Sequence, residues 1–182
     1  MNGILVVSAT RAEAAHVPER YETVITGIGK VDAAVAVTAA LAGYPADARP
    51  LVVNIGTAGA LHTHHSGLFL PSAAINHDIS SEILKSLGHP VQDVVQIDDG
   101  DGSVLATGDS FVSDAQIRDA LSARADLVDM EGFAVAYAAR RMGAPCRLVK
   151  HVSDRADDSA LDWPKQVDRS AQELARWLVE RY

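Results

Sequence analysis

Short runs of β-branched and aliphatic residues recur along this 182-residue chain, each followed by glycines or by an alanine-rich stretch. That alternation constrains the fold more than any other feature. Ile4-Leu5-Val6-Val7-Ser8-Ala9 is apolar without a period of two, as a strand buried on both faces requires. Val24-Ile25-Thr26 reads as a brief second strand ending at Gly27-Ile28-Gly29. Residues 30–41 follow as an alanine-rich helix stopped by Gly43 and Pro45. Leu51-Val52-Val53-Asn54-Ile55 is another buried strand, closed by Gly56 and Gly59. Leu68-Phe69-Leu70 and Ala73-Ala74-Ile75 form one more, interrupted by Pro71.

Residues 80–87 read as a short helix ending at Gly88, and Asp98-Asp99-Gly100-Asp101-Gly102 as a hairpin turn between short strands. Asp114 is placed to cap a helix running to about residue 123. A strand at 126–129, a helix at 132–142 and a strand at 147–152 come next. Val167, Ala171, Leu174, Ala175, Leu178 and Val179 fall at the spacing of an amphipathic helix. Strands alternating with helices predict an α/β fold, a three-layer αβα sandwich with a mixed, largely parallel sheet, in one domain spanning residues 1–182.

With 48% hydrophobic and 22% charged residues the chain has the make-up of a soluble globular protein, so disorder is not expected to dominate. A formal charge of −8 with no basic stripe argues against nucleic acid as a partner. No apolar run reaches the roughly 20 residues that span a bilayer, so no membrane partner is expected. Cys146 is the only cysteine, which excludes an intrachain disulfide, and its apolar neighbours read as a buried strand. The N-terminus runs straight into an apolar strand with no basic leader, which makes the cytoplasm the expected location.

In a sheet of this kind ligands bind beyond the carboxyl ends of the strands. Glu13 follows the first strand, Glu131 follows Leu127-Val128-Asp129-Met130, and Asp154 directly follows Leu148-Val149-Lys150-His151-Val152-Ser153. If those strands are parallel neighbours, the acids share a cleft. Acids at helix starts also complement the helix dipole and cap free N–H groups, so each has a structural reading as well.

Five segments, in order, resemble the nucleoside phosphorylase/nucleosidase superfamily, and within it the methylthioadenosine/S-adenosylhomocysteine nucleosidases and futalosine hydrolases. They are Val7-Ser8-Ala9-Thr10-Arg11-Ala12-Glu13, Thr26-Gly27-Ile28-Gly29-Lys30-Val31, Val53-Asn54-Ile55-Gly56-Thr57-Ala58-Gly59, Thr107-Gly108-Asp109-Ser110-Phe111-Val112, and Val128-Asp129-Met130-Glu131-Gly132 paired with Val149-Lys150-His151-Val152-Ser153-Asp154. The resemblance implies hydrolysis of the N-glycosidic bond of a purine nucleoside. Such cleavage needs a proton for the departing base, a positioned water and an anchor for the ribose.

On that resemblance Asp154 protonates the base at N7 and Glu13 activates water. Glu131 holds the ribose hydroxyls with Met130 against the sugar, and Phe111 flanks the base. Thr57 and Lys150 line the water site, Gly59 is among the substrate-binding residues, and Ser153 orients Asp154. No metal or cofactor is implied, and a homo-oligomer, most simply a dimer, is. The chain departs from the family pattern in four ways. Only residues 18–23 separate the first strand's turn from the second strand, where a hairpin is usual, and the middle region is trimmed. Lys150 stands where nucleosidases usually carry arginine, and Phe133 where a small residue is common.

Phosphorylases clamp phosphate with arginines. Arg11 is available near the first strand, but the middle segment offers Asn76-His77-Asp78 and no arginine, which favours water as acceptor. Gly27-Ile28-Gly29-Lys30 lacks the spacing of a P-loop, and Asp32 stands where a third dinucleotide-binding glycine belongs. His62-Thr63-His64-His65 has no partner ligands at metal-site spacing and reads as a solvated loop. Two readings from another class remain: a receiver-like regulatory domain, which lacks an aspartate after its central strand, and a nucleoside-binding protein without turnover.

Overall fold

The computed structural model describes residues 3–157, 160 and 163–182. Nine strands and five helices occur among them, in the order β1 (Ile4–Ser8), β2 (Glu22–Ile25), α1 (Lys30–Ala42), β3 (Leu51–Ala60), β4 (Leu68–Phe69), β5 (Ala73–Asn76), α2 (Ser81–Ser86), β6 (Val94–Gln96), β7 (Val104–Thr107), α3 (Ala115–Ser122), β8 (Leu127–Asp129), α4 (Gly132–Arg141), β9 (Cys146–Asp154) and α5 (Trp163–Arg181). The strands form one sheet in the order β2-β1-β3-β8-β7-β5-β6, with β9 on the far side of β3 and β4 beyond it.

Alternate residues of the strands feed two apolar layers. Leu5, Val7 and Val52 face α1 and α4, meeting Ala33, Val37, Leu41 and the α4 alanines 134, 138 and 139. Val6, Val53, Ile55 and Val149 face the other way, onto Leu174 and Leu178 of α5. Burial of each such leucine is worth about 1.5–3 kcal/mol. Helices thus cover both faces of a mostly parallel sheet, giving the expected three layers. Val179 stands outside the buried stripe of α5 at 44% exposure, because it follows Leu178 by only about 100° around the helix.

The glycines at 56 and 59 do not close β3; the strand runs through both to Ala60. Pro71 does not interrupt one strand but separates two: β4 pairs with β9, and β5 pairs with β6 and β7. The 98–102 turn is not a hairpin either. β6 and β7 flank β5 on opposite sides, and the turn carries the chain across its end. Gly100 fits there because a Cβ would lie 2.4 Å from Ser72 Oγ.

The central strand carries the most consequential departure from simple parallel packing. On one edge β3 pairs with β9 over residues 52–59. On its other edge β1 pairs in parallel with residues 51–54, and β8 pairs antiparallel with residues 59 and 60. The carboxyl ends of β1 and β8 therefore approach each other head-on, leaving residues 55–58 of β3 without a strand neighbour on that edge.

Candidate active site

The backbone N–H of Thr57 lies in that gap, reached by neither β1 nor β8, and Glu13 takes it. Glu13 Oε1 accepts from Thr57 N and Thr57 Oγ1, both at 2.8 Å. Its Oε2 accepts from Thr10 N at 3.1 Å and Thr10 Oγ1 at 2.9 Å. The Glu13 N–H returns to Thr10 Oγ1 at 3.2 Å, so Thr10-Arg11-Ala12-Glu13 is a capping box that folds the turn after β1 and aims its carboxylate across the gap. Glu13 is 4% exposed. The S/T-x-x-E pattern was the signal in the sequence that could have singled out Thr10.

From the opposite direction β8 delivers Asp129, Met130 and Glu131. Asp129 is held by Thr107 Oγ1 at 2.5 Å and by the Gly132 N–H at 2.8 Å, while Thr107 Oγ1 also accepts from Phe133 N at 2.9 Å. Together they satisfy the first N–H groups of α4. A side chain at Gly132 would put its Cβ 2.4 Å from Leu105 and 2.9 Å from Asp129 Oδ2. Glu131 Oε1 accepts from the Gly29 N–H at 2.7 Å. Gly29 presents that N–H from a backbone at φ 98°, in the region that favours glycine. The turn is pinned from outside by Lys30, whose ammonium binds Asn76 at 2.9 Å and Asp78, and whose N–H binds Asp109 at 2.8 Å.

Burial, reinforced by the Asp129 charge, pushes the Glu131 carboxyl up from an ordinary 4.5 to about 7; the Gly29 N–H and Lys150 act against that rise. Lys150 Nζ pairs with Asp129 Oδ2 at 2.9 Å with both side chains 2% exposed. A Cβ at Gly56 would lie 3.2 Å from that ammonium and 3.3 Å from Glu13 Oε1, which places the cation between the acid groups. Asp129, Glu131 and Glu13 hold its pKa above the ordinary lysine value against the effect of burial. The structure thus sets Lys150 beneath the cleft rather than on its wall. A buried lysine needs the acids it is paired with, and Asp129 claims it first.

Asp154 ends β9 beside Gly59. Ser153 Oγ donates to its Oδ2 at 2.7 Å and the Ala156 N–H to its Oδ1 at 2.8 Å. A Cβ at Gly59 would stand 3.0 Å from Asp154 Oδ1 and 3.2 Å from Val128, so glycine makes room for the carboxylate. Thr57 and Gly59 lie two residues apart in β3, which separates the two ends of the site by roughly 7 Å.

These groups line one cleft with about 720 Å³ of space, open solvent included. Thr57, Gly59, Phe111, Met130, Ser153, Glu13, Glu131 and Asp154 all reach it, together with Asp129, Thr10, Ile28 and Trp163, which sequence reasoning had not assigned. No lysine or arginine lines it among the described residues. Arg11 is exposed and Phe111 is 53% exposed at the mouth. The His62, His64 and His65 rings pack on one another at 4.4–5.6 Å, and His65 Nδ1 approaches the Asp126 carbonyl at 3.2 Å. No helix among the described residues is long and apolar enough to cross a membrane.

The model of the phosphorylase superfamily matches residues 101–182. Among curated proteins, the aminodeoxyfutalosine nucleosidase of Helicobacter pylori strain 26695 is 34% identical over 113 residues, which cover 60% of this chain and 48% of that protein. The chain spans about half the length of the curated relatives it matches. Among solved structures, Helicobacter pylori MTAN with 5′-methylthioadenosine in its active site superposes with a TM-score of 0.84 at 20% identity, covering 99% of this chain and 97% of that one. The 5′-methylthioadenosine/S-adenosylhomocysteine nucleosidase of Neisseria meningitidis, in complex with methylthio-immucillin-A, also superposes with a TM-score of 0.84, at 19% identity and 99% and 98% coverage. The native futalosine hydrolase of Helicobacter pylori strain 26695 gives 0.81 at 21% identity, with 97% and 95% coverage. In sequence over its C-terminal part and in fold along its length, the chain resembles the phosphorylase superfamily and its nucleosidases.

Proposed function

We propose that this chain hydrolyses the N-glycosidic bond of a purine nucleoside, of the methylthioadenosine/S-adenosylhomocysteine or a related type, releasing free base and ribose sugar. One observation carries the reading: carboxylates delivered by β1, β8 and β9 meet in a single cleft whose described lining holds no cation. A phosphate dianion entering there would face Glu13, Asp129, Glu131 and Asp154 with no guanidinium to clamp it. Water carries no such penalty.

In the proposed reaction the ribosyl–base C–N bond breaks while a water oxygen bonds to the anomeric carbon. Glu13 takes the water proton, and Asp154 gives its proton to N7 so that a neutral purine leaves. Glu131 accepts hydrogen bonds from the ribose hydroxyls, Met130 packs on the sugar and Phe111 covers the base. Thr57 holds Glu13, Ser153 holds Asp154, and Lys150 balances the acid charge from below.

The chain acts as one cytoplasmic domain and pairs with a second copy. Ile28, Val31, Val35 and Phe111, exposed at 60%, 72%, 65% and 53%, support a dimer, because Ile28 and Phe111 rim the cleft and Val31 and Val35 continue one face of α1. A monomer in sedimentation at micromolar concentration would refute the pairing. The reaction is tested by chromatography of purine nucleosides incubated with the protein, with and without phosphate. Free base and free sugar in phosphate-free buffer are expected. Ribose 1-phosphate formed only when phosphate is present would make the chain a phosphorylase, and saturable binding without cleavage would make it a nucleoside-binding protein.

A further inference from the structure

Trp163 opens α5 and lines the cleft. Its indole Nε1–H donates to Thr57 Oγ1 at 2.8 Å, and that hydroxyl donates onward to Glu13 Oε1 at 2.8 Å. The indole is a donor only and a threonine hydroxyl has a single proton. With Trp163 on one lone pair of Thr57, the hydroxyl proton points toward Glu13 and the hydroxyl is held to the role of donor there.

That orientation bears on how Glu13 can receive a proton. Its carboxylate already accepts four donors, two backbone N–H groups and two threonine hydroxyls. The backbone donors are fixed by the capping box and by β3, so among the four donors only the hydroxyls can vary in direction, and with them the aim of the carboxylate. Thr10 Oγ1 is itself tied to Glu13 through the Glu13 N–H. Thr57 Oγ1 is the hydroxyl whose direction is set from a separate element, α5. Phenylalanine at this position would wall the cleft equally well but would leave Thr57 unpinned.

We infer that Trp163 is a positioning residue that acts through the Thr57 hydroxyl on Glu13, the base of the hydrolysis proposed above, on which this inference rests. The test is a cycle of Trp163→Phe, Thr57→Val and the double variant, read as kcat and KM for whichever nucleoside the unsubstituted protein cleaves. Loss of one hydrogen bond predicts a kcat lower by about three- to tenfold in Trp163→Phe, with KM little changed. The double variant is expected to be no slower than Thr57→Val alone. Losses that multiply, or a raised KM with kcat intact, would reduce Trp163 to a wall of the cleft.

A second measurement needs no turnover. The indole N–H resonance that vanishes in Trp163→Phe belongs to Trp163. In Thr57→Val it is expected to move upfield and to exchange faster with solvent. An indole resonance indifferent to Thr57→Val overturns the Trp163–Thr57 contact whatever the reaction proves to be. Absence of cleavage by the unsubstituted protein overturns the reaction instead, and with it the role in hydrolysis.

Discussion

Replacing Glu131 with glutamine should stabilise the folded chain at alkaline pH while weakening the site. Glu131 is 8% exposed, and burial together with Asp129 raises its carboxyl from 4.5 to about 7. Between those values the folded chain keeps a proton that the unfolded chain has released. Stability therefore falls as pH rises through this window, and the full penalty is present above pH 7. At about 1.4 kcal/mol per pH unit, the rise amounts to roughly 3 kcal/mol. The glutamine amide oxygen would still accept the Gly29 N–H, but the side chain would carry no charge. Urea unfolding at fixed protein concentration, at pH 5 and pH 8, measures the difference. Relative to Glu131→Gln, the unsubstituted chain is expected to lose roughly 2–3 kcal/mol over that interval, a midpoint shift of about 1 M. Parallel profiles for the two proteins would refute the argument, since they would mean that Glu131 folds at no electrostatic cost. In the proposed reaction the same carboxyl binds ribose hydroxyls, and best when ionised, so KM is expected to rise below pH 7 in the unsubstituted protein and to lose that dependence in the variant.

Asp154→Asn keeps an acceptor for the Ala156 N–H but has no proton to give, so kcat should fall by about 10²–10⁴ with the circular dichroism spectrum unchanged. Lys150→Met leaves Asp129 buried without its cation and should cost about 3–5 kcal/mol. Scanning calorimetry should then find Tm lower by roughly 6–20 °C, and by less in a Glu131→Gln background. Arg11→Ala should leave turnover and its indifference to phosphate intact, because the side chain lies outside the cleft; slower cleavage in the variant would return Arg11 to the site.

Much of this architecture was legible from local pattern. The continuous apolar runs at β1, β3 and β9 and the alanine-rich faces of α1 and α4 follow from burial on both sides of a sheet. What misled was punctuation. Gly56 and Gly59 look like strand terminators, yet they sit within β3 because Glu13, Lys150 and Asp154 crowd their faces. The 98–102 turn has the composition of a hairpin, but composition does not say that a third strand, β5, lies between β6 and β7. Of the site, the acids could be found by their positions after strands and by family resemblance. Lys150 was given a place at the water site by the family resemblance, which does not say which neighbour will neutralise it. Trp163 comes from a segment with no distinctive spacing, and Ile28 from a glycine turn read only as the entry to a helix; the folded chain brings both to the cleft.

The head-on approach of β1 and β8 also sets the candidate site on short connections. Glu13 comes five residues after β1 ends, Glu131 two residues after β8, and Asp154 is the last residue of β9. None of them depends on a long loop. The segments that are short against the family pattern, residues 18–23 and the middle of the chain, lead into β2 and surround β5 and β6, at the two ends of the sheet order. Material can be lost from those edges without moving Thr57, because β3 is fixed along its length by β9 and its open stretch is bounded by β1 on one side and β8 on the other. The unpaired edge of a central strand is ordinarily a defect, since its N–H groups need partners. Here the partner of Thr57 N is a carboxylate, so the vacancy that β1 and β8 leave between them is what positions Glu13.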